Sequence, residues 1–252
     1  MADYKSFIIH LKRSQGRKAQ VEDLISKSPF PCEMVDAVDG RLLSQEDIQT
    51  YYTGETLLNP EYPFGVNAGE IGCFLSHRAA WQKIVDQNLT AGLVFEDDVH
   101  IDPDIFAKSV KAAQIWSRDH GFIQFQVRGL PERGPVLDTQ EGVDLLQPSP
   151  TLLRCSAQLI NRATAIHLLK VTEKFDRPVD VVLQMHWETG LRPVCMRPSG
   201  VADRTQETGG STLSLKRPKL AKIPREWNRM VYRSKVARYS KKRFETFEQL
   251  NS

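Results

Sequence analysis

Short apolar runs of strand length alternate with stretches of helical period along most of this chain, and that alternation restricts it to an α/β fold. Phe7-Ile8-Ile9-His10-Leu11 reads as a strand, followed by a polar turn and a helix from about Arg17 to Ser26. Met34 to Val38 reads as a second strand, closed by the turn signal Asp39-Gly40. Ser44 caps a short helix, and Tyr51 to Asn67, rich in Tyr, Pro and Gly, reads as a long loop. Asn67 and Glu70 then form a capping pair for a helix reaching about Gln87, with Ile71, Phe74, Leu75, Trp81, Ile84 and Val85 on its apolar stripe. Leu93-Val94-Phe95 is a third strand, and Asp102-Pro103 starts a helix to about Trp116. Phe122 to Val127 alternates as a half-buried strand does. Gly129 to Pro150 reads as turn-rich, Leu152 to Ile160 as a strand, Ala163 and Val179 to Trp187 as helices, and Val194 to Met196 as a last strand. The expected architecture is a mainly parallel sheet with helices on both faces, without internal repeats.

In such a sheet, ligands bind beyond the carboxyl ends of the strands, which directs attention to the residues after Leu11, Val38 and Phe95. Phe95 is followed by Glu96-Asp97-Asp98. In an extended segment Glu96 and Asp98 point to one side and Asp97 to the other. A hard divalent ion would relieve the repulsion among them; the competing reading is that they favour the N-terminus of the following helix.

Composition removes other classes. A chain of 252 residues is long enough for one large or two small domains. No stretch approaches the ~18 apolar residues of a membrane span, and the first residues lack the pattern of a signal peptide. Cys32, Cys73, Cys155 and Cys195 are scattered without C-x-x-C spacing, so reduced cytoplasmic thiols are the simpler reading. The net charge of +3 is uneven: Lys216 to Arg243 holds twelve basic residues against Glu226 alone, leaving −8 for the rest. Such a segment implies a polyanionic partner.

Gly69-Glu70-Ile71-Gly72-Cys73-Phe74-Leu75-Ser76-His77, followed by Val94-Phe95-Glu96-Asp97-Asp98-Val99, resembles glycosyltransferase family 25, which includes lipooligosaccharide and collagen galactosyltransferases. Phe7 to Ser14 is similar to the family's opening strand, with His10 in place of the usual Asn. Asp36-Ala37-Val38-Asp39-Gly40 and Arg177-Pro178-Val179-Asp180 match further family steps in order, so the likeness covers about residues 6 to 215.

The resemblance implies a GT-A fold binding a UDP-sugar through Mn²⁺ or Mg²⁺. Glu96-Asp97-Asp98 would be the acidic motif, with Asp98 and Glu96 on the metal and Asp97 among the nucleotide-sugar contacts. His10, Arg13, Arg17, Asp39, Ser76 and His77 complete the expected donor site. Four of these have a plain structural alternative: a turn aspartate for Asp39, solvated charges for Arg13 and Arg17, a hydrogen-bonded helical histidine for His77. The family also implies inversion, which needs a general base. Asp180 is assigned that role, with Glu188 and Asp203 as weaker choices and helix capping as the alternative for Asp180.

Residues 1–215 would form the catalytic domain, with a donor half to about 128 and an acceptor half beyond it. Residues 216–252 would form a basic helix on which Trp227, Met230, Val231, Tyr232, Val236 and Tyr239 interleave with the cations. That pattern suits the anionic inner face of a membrane and a lipid-linked oligosaccharide acceptor. A solvated tail or a homodimer contact is the alternative, and no nucleic-acid module accompanies the charge. Galactose from UDP-galactose is the expected donor. The rival functions are another metal-dependent nucleotidyl-transfer enzyme and a non-catalytic binding protein on the same fold.

Overall fold

The computed structural model describes residues 3–127, 134–203 and 222–250, the last stretch with side chains for 225–241. Its strands are β1 (Tyr4–His10), β2 (Cys32–Asp36), β3 (Ala91–Glu96), β4 (Val99–Ile101), β5 (Phe122–Phe125), β6 (Val136–Gln140), β7 (Val143–Leu146), β8 (Ala157–Asn161), β9 (Val194–Arg197) and β10 (Val201–Asp203). Its helices are α1 (Lys18–Lys27), α2 (Gln45–Tyr51), α3 (Ala68–Asp86), α4 (Pro103–Trp116), α5 (Arg162–Val171), α6 (Val179–Leu183), α7 (His186–Thr189) and α8 (Lys222–Leu250).

Eight strands form one sheet in the order β2-β1-β3-β8-β5-β9-β7-β6, and β4 pairs separately with β10. Six of the eight run in one direction, while β8 and β7 run against them. The mainly parallel α/β sheet expected from the sequence is therefore present. Side chains one residue apart on β1 and β3 serve opposite faces. Ile8, Leu93 and Phe95 join α1 and α4 in one core, through Leu24, Phe106, Val110 and Trp116. Phe7, Ile9 and Val94 join α3, α5 and α6 in the other, through Phe74, Trp81, Leu168 and Val182. Helices on both faces explain why these strands are continuously apolar.

The start of α3 is as its letters suggest. Asn67 accepts from the Glu70 amide, and Glu70 accepts in return from the Asn67 amide. Asp102 likewise caps α4, which has Pro103 in its first turn.

Other expectations are corrected. Residues 129–133 of the stretch read as turn-rich lie outside the described residues; beyond them β6 and β7 form a hairpin through Glu141 and Gly142, both at positive φ. β6 is exposed along most of its length, so its letters carry no burial period. β5 is buried throughout rather than on one face, because Gln124 donates to the Leu152 and Arg154 carbonyls and needs no water. The helix expected from Val179 to Trp187 is divided into α6 and α7.

Several apolar residues of the basic segment pack inward. Tyr232 and Val236 of α8 are buried against Val181 and Met185, and Tyr239 stacks on Trp187 with ring centroids 5.6 Å apart. Trp227 and Met230 remain outside, at 64% and 55% exposure. Residues 216–221, with three of the cations counted in the sequence, lie outside the described residues.

Candidate active site

Parallel neighbours β2 and β3 flank β1, so the chain leaves β1 on one side to reach β2 and crosses to its other side to reach β3. At such a divergence the loops at the carboxyl ends part and leave a crevice. A cavity of about 720 Å³ opens there. Its wall includes Arg13, Ser14 and Arg17 after β1, Ala37 to Arg41 after β2, and Glu96, Asp97 and Asp98 at and after the end of β3. Residues Arg154 to Ser156 enter from the opposite direction because β8 is antiparallel and begins where its neighbours end. Asn67 to Glu70 come from the start of α3, and Asp180 from the first turn of α6.

The three acids have different surroundings. Asp97 is buried, with His10 Nδ1 at 2.7 Å from one oxygen and Arg17 on the other. Asp98 faces the cavity with Oδ2 3.4 Å from Arg17 Nη1. Glu96 Oε1 lies 3.3 Å from His77 Nε2 and 3.8 Å from Cys73 Sγ. Burial acts to raise the Glu96 carboxyl, but the His77 hydrogen bond and charge outweigh it, so the group sits below its ordinary range. Among these acids, Glu96 and Asp98 present oxygen donors to the cavity, a set that suits a hard divalent ion such as Mn²⁺ or Mg²⁺.

Asp39 bridges two cations, with Arg13 Nε at 2.6 Å and Arg41 Nη2 at 2.9 Å. Arg41, then Arg13, holds its carboxyl well below the usual range. Ser76 reaches the wall, but its hydroxyl is committed: it donates to Gly72 O and accepts from the Val38 amide at 2.8 Å. His10 stands behind Asp97 and is not among the wall residues. His77 is fully buried, held by Glu96 and by Gln158, 3.2 Å from its Nδ1.

Asp180 accepts from the Arg154 amide at 3.1 Å. Burial first, and the neighbouring Glu96 and Glu70 charges next, push its carboxyl above the ordinary range, partly offset by that amide. Of the weaker base choices, Asp203 pairs with Arg154, and Glu188 accepts from the Asn59 amide; neither is among the wall residues.

Arg154, Tyr62 and Arg41 were missed from the sequence. Arg154 is at φ 84°, a left-handed conformation that a side chain seldom adopts, and this conformation accompanies its amide contact to Asp180. Nothing in the letters around Arg154 signals that. Tyr62 lies in the long loop read between Tyr51 and Asn67, and burial raises its hydroxyl pKa ahead of the Glu70 and Asp180 charges. Arg41 follows the turn at Gly40, which could have marked it.

An acid-rimmed crevice at the carboxyl ends of the strands defines the general class: an α/β protein with its cavity at the strand divergence, the place where such sheets hold ligands. Residues 3–128 match the family described as glycosyltransferase family 25 (LPS biosynthesis protein). The chain belongs to that family. It is 32% identical over 108 residues to procollagen galactosyltransferase 2 of Mus musculus, covering 42% of this chain and 17% of that one. It is 36% identical over 110 residues to a probable inactive glycosyltransferase 25 family member 3 of Rattus norvegicus, covering 42% and 18%. The chain thus spans under a fifth of the length of these relatives. Among solved structures, a 4-diphosphocytidyl-2C-methyl-D-erythritol synthase from Anaerococcus prevotii aligns over 82% of this chain and 94% of its own, at 11% identity and a TM-score of 0.41.

Proposed function

We propose that this chain transfers galactose from UDP-galactose, with inversion, to a hydroxyl of a lipid-linked oligosaccharide, in a reaction that depends on Mn²⁺ or Mg²⁺. The observation that carries the reading is the placement of Asp180 on the same cavity wall as Glu96 and Asp98. Asp98 and Glu96 would hold a divalent ion, which would supply charge stabilisation for the departing diphosphate. Arg13, Arg17 and Arg154 add cationic donors around the same space. Asp180 takes the proton of the acceptor hydroxyl as its oxygen bonds to the anomeric carbon and the bond from that carbon to UDP breaks. Its raised pKa makes it a stronger base than an ordinary aspartate. Asp97, pinned by His10 and Arg17, keeps the β3 terminus in place.

The galactosyl assignment draws on relatives named procollagen galactosyltransferases and on the LPS description of the family. The lipid-linked acceptor, reached at the cytoplasmic face of a membrane, draws also on Trp227 and Met230, exposed on a helix rich in Arg and Lys. A non-catalytic role is the second reading, because some relatives carry the word inactive in their names. The test is a panel of UDP-sugars scored for Mn²⁺-dependent hydrolysis, then for transfer to truncated glycolipids. Hydrolysis and transfer with UDP-galactose above the other donors is the expected result. UDP binding without turnover of any donor would favour the second reading, and preferential transfer of another sugar would overturn the donor assignment.

A further inference from the structure

Sugar transfer leaves Cys73 without a part to play, although it lines the cavity beside two residues that can ligate metal. Cys73 and His77 are one turn apart on α3, so their side chains project from the same face. Glu96 meets them from the end of β3, and Cys73 Sγ, His77 Nε2 and Glu96 Oε1 all lie within 4.8 Å of one another. The two separations from Glu96 Oε1 are 3.3 Å to nitrogen and 3.8 Å to sulfur. Around a four-coordinate zinc ion, with bonds of about 2.0–2.3 Å, neighbouring ligand atoms are roughly 3.3–3.6 Å apart. The two separations from Glu96 are therefore close to the edges of a tetrahedral face before any ion enters, and the Cys73–His77 edge is within 4.8 Å.

The donor set also has a chemical direction. Sulfur, imidazole nitrogen and one carboxylate oxygen suit a borderline-soft ion, whereas Mn²⁺ and Mg²⁺ favour oxygen. All three residues line the cavity, which leaves a fourth position open to water or ligand. The outer nitrogen of His77 faces Gln158, a fully buried side chain whose Oε1 has no hydrogen-bond partner among the described residues. A half-turn of that amide puts Oε1 on an Nδ1–H and frees the Nε2 lone pair for an ion, the outer support that metal-bound histidines commonly have.

We propose that Cys73, His77 and Glu96 form a site for a thiophilic divalent ion, Zn²⁺ or Co²⁺, separate from Asp98 but sharing Glu96 with the oxygen-ligated site. As the sulfur–metal and nitrogen–metal bonds form, the thiol proton and any second proton on the His77 imidazole pass to solvent, and no change of oxidation state is involved. Zn²⁺ here competes with Mn²⁺ for Glu96. The site stands independently of which sugar, if any, is transferred.

The test is Co²⁺ titrated into the full chain and followed by absorption, with Zn²⁺ added afterwards. Expected are a near-ultraviolet thiolate-to-cobalt band and the visible bands of a four-coordinate ion, both erased by equimolar Zn²⁺. Cys155→Ser, which removes the other cavity thiol, keeps the bands. Cys73→Ser loses the thiolate band, and His77→Gln weakens Co²⁺ binding at least tenfold, with far-UV circular dichroism confirming that each variant is folded. Absence of a thiolate band from the unaltered chain, or its survival in Cys73→Ser, overturns the proposal. Should Cys73→Ser not fold, alkylation of the unaltered chain decides: Zn²⁺ must slow modification of Cys73 at least tenfold, and an unchanged rate rejects the site.

Discussion

At the scale of single residues, three adjacent acids divide into different tasks by the partners they meet. Asp97 is buried with His10 and Arg17, and removing one member of a buried pair typically costs about 3–5 kcal/mol. Asp97→Ala is therefore expected to lower the denaturation midpoint sharply. Asp98→Ala should leave that midpoint near its original value while removing Mn²⁺-dependent donor turnover, and urea melts beside hydrolysis assays separate the two. Asp180 gives a third prediction. Its folded pKa lies above the unfolded one, so the fold favours the protonated form. The resulting cost is absent below the unfolded value and grows as pH rises through the folded one. Asp180→Asn should thus raise the melting temperature by a few degrees at neutral pH, less as pH falls, while abolishing transfer and sparing UDP affinity. A variant that transferred sugar normally would remove Asp180 from the chemistry. The presence of an acidic cluster was legible in the letters. The separate tasks were not, since they depend on residues such as His10 and His77, which meet the cluster only in the folded chain.

At the scale of elements, two family motifs prove to be one packing contact. A Cβ on Gly72 of α3 would stand 2.5 Å from the Val38 carbonyl, and one on Gly40 would stand 1.7 Å from the Ala68 carbonyl. The loop after β2 and the first turns of α3 therefore meet backbone to backbone, and the Ser76 hydroxyl fixes the Val38 amide in the same contact. Gly72→Ala should cost about 1–3 kcal/mol by overpacking. It should also weaken UDP binding by displacing Asp39, whereas Asn67→Ala should cost about 1 kcal/mol through the lost cap. Calorimetry of UDP binding beside thermal melts checks both; equal donor affinity in Gly72→Ala would show that the contact does not position the loop. The α3 cap was legible because capping is a local pattern of four residues. The β6–β7 hairpin was not, because an exposed strand has no burial period to betray it.

At the scale of the molecule, α8 is joined to the cavity by a buried relay. Arg177 is fully buried and donates to Asp176, to the Leu58 and Pro60 carbonyls and to the Tyr232 hydroxyl at 3.1 Å. Tyr232 in turn meets Tyr62 edge to face at 5.4 Å, and Tyr62 is on the cavity wall. Tyr232→Ala should destabilise the protein by about 3 kcal/mol, the usual cost of truncating a buried aromatic side chain. Because Tyr62 then loses a wall, substrate KM should rise, and steady-state kinetics with each substrate varied reads that change. An unchanged melting temperature would mean that the helix does not depend on this contact.

The amino-acid order alone settled the alternation of strands and helices, the capped start of α3, and the three strand ends whose following residues line the cavity, because these follow from periodicity and from steric preferences acting over a few residues. Tertiary structure decided which carboxylate is held by cations, which faces solvent-accessible space and which is pushed toward its neutral form. It also turned Tyr232, Val236 and Tyr239 onto the body of the protein. Desolvation and charge pairing depend on neighbours far apart in the chain, and such neighbours exist only once the sheet has brought them together.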